Sequence, residues 1–379
     1  MRYSSRCVAV LLIHAVSVAG WSQSPARWTV APNPTVTIGG AAADTTDLLT
    51  AAVGATRLPD GRILVGDNAD FSLRLFTASG RFLRAYGRKG NGPGEIGQLG
   101  ALLRCGDSLV TFDLDGDRAS VFSPDGRYVR SFRFDAPGAS RSPYQSRCNS
   151  NGFFAHFGWE PESDTKTGVY RPLVPFWLSG TNPAVRRVFG RFAGSERYGS
   201  VATNGVFGSR PLPLGKQPVV AVGTNRVYLG TGDRYEILVF DFSGKQLAPI
   251  RKGGVDLETT SDDIRYAKER EIANSGPRAR ASVERDYSAM PLPKTVPAYA
   301  GLVVDADGHL WVQDYPRGRA TTVSWSVFAP DGRLVAEIPL PVHLEVYEIG
   351  RDYVLGRFLD PDESVPQIRL YRLNRSMRR

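Results

Sequence analysis

Short β-rich runs, dominated by apolar residues, follow one another along the chain, separated by turn-forming pairs. One unit reads Leu58-Pro-Asp-Gly-Arg-Ile-Leu-Val-Gly-Asp67 and continues as Leu73-Arg-Leu-Phe-Thr-Ala-Ser-Gly-Arg-Phe-Leu-Arg-Ala-Tyr-Gly87. The next reads Cys105-Gly-Asp-Ser-Leu-Val-Thr-Phe-Asp113 and then Ala119-Ser-Val-Phe-Ser-Pro-Asp-Gly-Arg-Tyr-Val-Arg-Ser-Phe132. Short β-rich runs bounded by such turns predict strands. Gly, Asp and Asn between the runs tolerate the positive φ that tight hairpins need.

The frame recurs. Its first turn is found at Asp60-Gly61, Gly106-Asp107, Asn151-Gly152, Thr224-Asn225, Asp307-Gly308 and Gly350-Arg351. Its second turn is found at Ser79-Gly80, Asp125-Gly126, Ser179-Gly180, Ser243-Gly244 and Asp331-Gly332. The sixth unit stops after Ile368–Leu373, one strand short, and Pro34–Gly39 at the other end of the chain resembles the missing run. Pairing of these two segments would close a ring and leave no long open sheet edge. The pattern predicts an all-β fold, a six-bladed β-propeller over 28–379 closed by an N-terminal strand.

The units resemble the NHL-type six-bladed β-propellers of secreted bacterial proteins. The resemblance rests on Gly87-Arg-Lys-Gly-Asn-Gly-Pro-Gly-Glu95 and on the repeated Asp-Gly-Arg and Asp307-Gly-His-Leu-Trp311 units. It speaks for fold more than for activity, because propellers host many functions.

Two stretches depart from the repeat. The third unit carries long loops over 158–174 and 193–216. A segment of about 256–290 is expected to be a helical insertion, started by Thr260-Ser-Asp-Asp263 and broken at Gly276-Pro277. It reads equally as a functional lid and as a flap covering a blade edge.

Residues 1–22 read as a secretory signal peptide: Arg2 and Arg6, an apolar run over 7–18, then small residues before a polar chain. A secreted or periplasmic location is therefore expected, with no transmembrane segment in the mature chain. Net charge is +9, and 40 of the 47 basic residues are Arg, yet no run of five basic residues occurs. Together with export, this argues against a nucleic-acid partner. Cys105 and Cys148 remain after cleavage. An oxidising compartment permits a disulfide closing a 43-residue loop, for which chain entropy gives about 4 kcal/mol; two buried thiols are the alternative.

Aligning the units on their second strand selects Asp67, Asp113, His156, Thr231, Asp314 and Arg357. All of these but Thr231, with the neighbouring Asn68, are the expected ligand-binding set at the mouth of the central channel. Carboxylates with an imidazole suit a divalent cation, and Arg357 suits an anion. The alternative is that the aspartates only accept hydrogen bonds from backbone groups.

Other motifs fail on context. Asp113–Asp117 lacks the Gly and Glu positions of a calcium-binding EF-hand loop. Gly92-Pro-Gly-Glu-Ile-Gly97 matches a dinucleotide fingerprint but precedes no helix. No hydrolase signature occurs. The leading expectation is a non-catalytic, extracytoplasmic module that binds a small molecule or a protein not yet identified. The alternative is a metal-dependent lyase or lactonase-like hydrolase acting at the channel mouth.

Overall fold

In a computed structural model, residues 27–376 are described, except 42, 115–116, 138–142, 144, 160–165, 181–183, 202–203, 276–279 and 361–364. The signal segment 1–22, the Gly276-Pro277 break and the centre of Asp113–Asp117 thus lie outside the described residues. No helix among the described residues is long and apolar enough to cross a membrane.

The described chain is mostly strand, arranged in antiparallel sheets. Five sheets have four strands. Sheet I comprises Ala52–Arg57, Ile63–Asp67, Ser72–Phe76 and Phe82–Tyr86. Sheet II runs from Leu99–Cys105 to Tyr128–Phe132, sheet III from Gln145–Cys148 to Val185–Ala193, sheet IV from Val219–Val222 to Ile250–Arg251, and sheet V from Tyr299–Val304 to Leu334–Pro341. Each is an up-and-down meander. The turns fall at the repeated pairs, and Gly61, Gly80, Gly308 and Gly332 take φ of 87–89° there, where a side chain would be strained.

Sheet VI joins the two ends of the chain. Leu344–Ile349, Tyr353–Leu359 and Pro366–Ser376 lie side by side, and the last strand also pairs with both N-terminal strands. Val36–Gly39 pairs with 367–370 and Arg27–Val30 with 373–376. The first of these was expected; the second is an additional strand.

Apolar residues collect between successive sheets. Leu64 and Leu75 of sheet I meet Leu102 and Phe122 of sheet II. Trp311 and Trp325 of sheet V meet Val354 and Tyr371 of sheet VI, and Ile38 and Leu355 of sheet VI meet Ile63 and Val65 of sheet I. Full burial of such side chains contributes about 1.5–3 kcal/mol each. The first strands of the sheets touch in the order I, II, III, IV, V, VI and back to I. This arrangement of four-stranded antiparallel sheets is consistent with a β-propeller.

The long loops of the third unit contain a small sheet of their own, formed by Gly168–Tyr170, Arg197–Val201 and Phe207–Pro211. Between sheets IV and V lie two helices, α1 (Ser261–Ser275) and α2 (Arg280–Ala289). A reciprocal cap starts α1. The Asp263 N–H donates to Thr260 Oγ1 at 3.2 Å, and the Thr260 N–H donates to Asp263 Oδ2 at 2.9 Å. Burial alone would raise the Asp263 carboxyl, but Arg317 at 2.6 Å and the Thr260 donors outweigh it and hold it at about 2. Arg317 comes from the loop after Leu310–Asp314, so this ion pair fastens the helices to sheet V.

Candidate functional site

A cavity of about 760 Å³ lies among the first strands of the sheets. Its wall is made by the first strand of every sheet, I to VI. Those strands are rich in small residues where they face it: Ala55, Gly100, Ala101, Ala221, Ala300 and Gly301. Small side chains at the crowded centre leave room that larger ones would fill.

The cavity wall carries charge. Glu345 is paired with Arg357 at 2.8 Å. Glu348 accepts hydrogen bonds from the hydroxyls of Thr56 and Tyr353. Burial pushes its carboxyl up, against the pull of these two donors. Asp305 accepts from Trp311 Nε1 at 2.9 Å and pairs with Arg375 at 3.0 Å. The cations are held differently. Arg104 donates to the backbone carbonyls of Arg57 at 3.1 Å and Gly106 at 3.3 Å. Arg147 Nη1 donates to the carbonyl of Ser146 at 3.0 Å. Loss of bulk water pushes the Arg147 guanidinium below its ordinary value, opposed by Glu345 and Tyr347.

The residues singled out by sequence lie elsewhere, and none of them lines the cavity. Asp67 is fully buried and accepts from the backbone N–H groups of Thr50 and Ala51 at 3.1 Å and of Ala69 at 3.0 Å. Asn68 Oδ1 accepts from the Leu99 N–H. Asp113 accepts from the N–H groups of Gly97 and Gln98 at 2.8 and 2.9 Å and pairs with Arg118 at 3.0 Å. Both aspartates thus fasten the loop that leads into the first strand of their own sheet.

The remaining positions have other partners. Asp314 accepts from the Tyr235 hydroxyl at 3.0 Å and from Lys252 at 3.3 Å. Thr231 donates to Asp233 at 2.8 Å. Arg357 holds Glu345 and the carbonyl of Ala52. His156 is fully buried, with Nδ1 2.6 Å from Ser146 Oγ and Nε2 2.7 Å from Ser179 Oγ. A neutral imidazole fits that pair, donating to one hydroxyl and accepting from the other. Burial lowers its pKa to about 3.

The expected cation would need Asp67, Asp113, His156 and Asp314 to converge. Each is instead engaged within its own neighbourhood, and among the described residues no three His, Cys, Asp or Glu side chains form a group able to hold a metal ion. The residues do not fit a bound cation. Cys105, at the end of the first strand of sheet II, and Cys148, at the same point in sheet III, form a disulfide with Cα atoms 5.5 Å apart.

No protein-family model matches the chain, and no curated protein matches it in sequence. Solved structures do resemble it. A Bacteroides fragilis protein assigned as exported is 13% identical over 92% of this chain and 96% of its own, with a TM-score of 0.50. A member of the DUF4221 family from Bacteroides vulgatus is 10% identical over 93% of this chain and 100% of its own, with a TM-score of 0.51. A gluconolactonase from Xanthomonas campestris aligns over 93% and 99% of the two chains at 13% identity, with a TM-score of 0.45. At such identities the first two likenesses concern the fold alone, and with the stacked four-stranded sheets they make this chain β-propeller-like.

Proposed function

We propose that the chain is an exported, NHL-like six-bladed β-propeller that binds a ligand in its central channel without transforming it. Ring closure is supported by the cyclic contact of the first strands and by the pairing of Val36–Gly39 with the last strand. Export is supported by the basic, apolar and small-residue order of the first 22 residues. One observation carries the binding reading: the cavity walled by all six first strands, with a few charged side chains among small and apolar ones. A concave, preformed site with a few polar groups is what small-molecule recognition requires.

The experiment is native mass spectrometry of the mature protein purified from its exported state, beside an Ala300→Trp variant. Ala300 is on the cavity wall and solvent-exposed, so an indole there narrows the channel without crowding a buried core. A small molecule that co-purifies with the parent and is lost from a normally folded Ala300→Trp supports the proposal. Equal retention by both proteins overturns it.

A further inference from the structure

We infer that the channel is built for an anion, a carboxylate or phosphate group held by Arg147. This rests on the channel-binding reading above and adds the chemical class of the ligand. Charge on the wall is unevenly satisfied. Every carboxylate lining the cavity already has a partner: Glu345 has Arg357, Glu348 has the hydroxyls of Thr56 and Tyr353, and Asp305 has Arg375 and Trp311. Among the described residues no lining cation has a carboxylate within ion-pair distance, although Glu348 acts on Arg104 and Glu345 on Arg147 at longer range. Among the described residues, Arg104 is held only by two neutral carbonyls and Arg147 only by one.

A guanidinium carries five N–H donors in a planar fork, so most of the donors of Arg147 remain available. It sits on the first strand of sheet III, and Glu345 and Tyr347 lie on the first strand of sheet VI. In the order of contact around the ring, these two sheets face each other across the channel. The Tyr347 hydroxyl makes only long contacts, at 3.4 Å to Glu345 Oε2 and to the Ala52 carbonyl, and burial keeps it protonated. A neutral O–H donor therefore stands near Arg147, beside Glu345, whose charge reaches the guanidinium without forming a close ion pair with it. A hydrogen bond from a guanidinium to an anion is charge-assisted and about twice as strong as a neutral one.

The test uses the full mature chain labelled with 15N. The Arg147 Nε–Hε resonance is assigned by its loss in Arg147→Met and is followed while citrate, inorganic phosphate or the diamine putrescine is added. Saturable shifts with citrate or phosphate are expected, and the stronger of the two separates a carboxylate from a phosphate ligand. In Arg147→Met, binding should weaken at least tenfold. In Glu345→Gln, which removes a negative charge and frees Arg357, it should tighten several-fold.

Arg147 makes one hydrogen bond, so its replacement should fold. If it does not, the opposite-signed effect of Glu345→Gln still decides. Saturation by putrescine and not by the anions overturns the assignment. So does anion affinity unchanged in Arg147→Met or in Glu345→Gln. An absence of any anion titration, with a co-purified molecule still lost from Ala300→Trp, ends the anion assignment and leaves the channel reading standing. Anion titration at Arg147 with the co-purified molecule retained in Ala300→Trp has the reverse meaning.

Discussion

Asn68 Oδ1 accepts a hydrogen bond from the backbone N–H of Leu99 at 2.7 Å, which ties the end of the second strand of sheet I to the first strand of sheet II. Its neighbour Asp67 fastens the loop entering sheet I, and Asp113 repeats that second contact in sheet II. Carboxylates at these positions hold inner strands in place by satisfying backbone donors that would otherwise be buried unpaired.

Asp113→Ala should therefore act on stability. It leaves the N–H groups of Gly97 and Gln98 without their acceptor and Arg118 without its charge partner. A loss of about 3–5 kcal/mol is expected in a denaturant titration, in line with the breaking of a buried ion pair. A residue kept for ligand contact would change unfolding by only about 0.5 kcal/mol.

The repeat itself was legible. Each first-turn pair lies between the first and second strands of its sheet; Gly61, Gly106, Gly152 and Gly308 take the positive φ there that favours glycine, whereas Thr224-Asn225 and Gly350-Arg351 turn without it. The ring position of the site was not legible. Alternation separates the two faces of a strand but says nothing about which edge of a sheet turns toward the axis. Small residues such as Ala55, Gly100 and Ala300 on the first strands were the available signal.

Register mattered as well. Sheets I, II and V have an irregularity after Ala52, Leu99 and Tyr299, opposite Asp67, Asp113 and Asp314. Sheet III pairs His156 with Ser146 without a shift, and sheet VI shifts beyond Val346, which is opposite Gly356 and not Arg357. A slip of one residue turns a side chain to the other face of its sheet, so His156 and Arg357 are not equivalents of the three aspartates.

His156 makes stability depend on pH. In the unfolded chain its imidazole takes up a proton near pH 6.5, and in the fold only near pH 3. Its contribution is complete above about pH 6.5 and declines as the pH falls toward 3, by up to about 1.4 kcal/mol per pH unit. Urea titrations at pH 7.5, 5.5 and 4.5 should show this slope. His156→Gln should be less stable at pH 7.5 and flatter by one proton across the same range; an unaltered slope would contradict a neutral buried imidazole.

Deleting the chain through Gly39 tests the proposed closure. Ile38 is lost from the cluster it shares with Leu355 and Ile63, and Pro366–Ser376 becomes a bare edge of 11 residues. A lower melting temperature and self-association through that edge are expected by calorimetry and light scattering. Ile38→Ala, with the strand retained, should cost about 2–5 kcal/mol and leave the protein monomeric. A monomeric deletion variant with an unchanged melting temperature would speak against closure by this strand.

The pairing of residues 27–39 with 367–376 also sets a timetable. The segments that emerge first during synthesis find their partners only when the last strand has been made. Sheets I to V consist of neighbouring strands and have what they need as they appear. Sheet VI must draw together positions more than 300 residues apart in sequence, and loop closure over such a span slows folding. Until then the N-terminal strands have only temporary company, and the seam between residues 27–39 and 367–376 is the last to form.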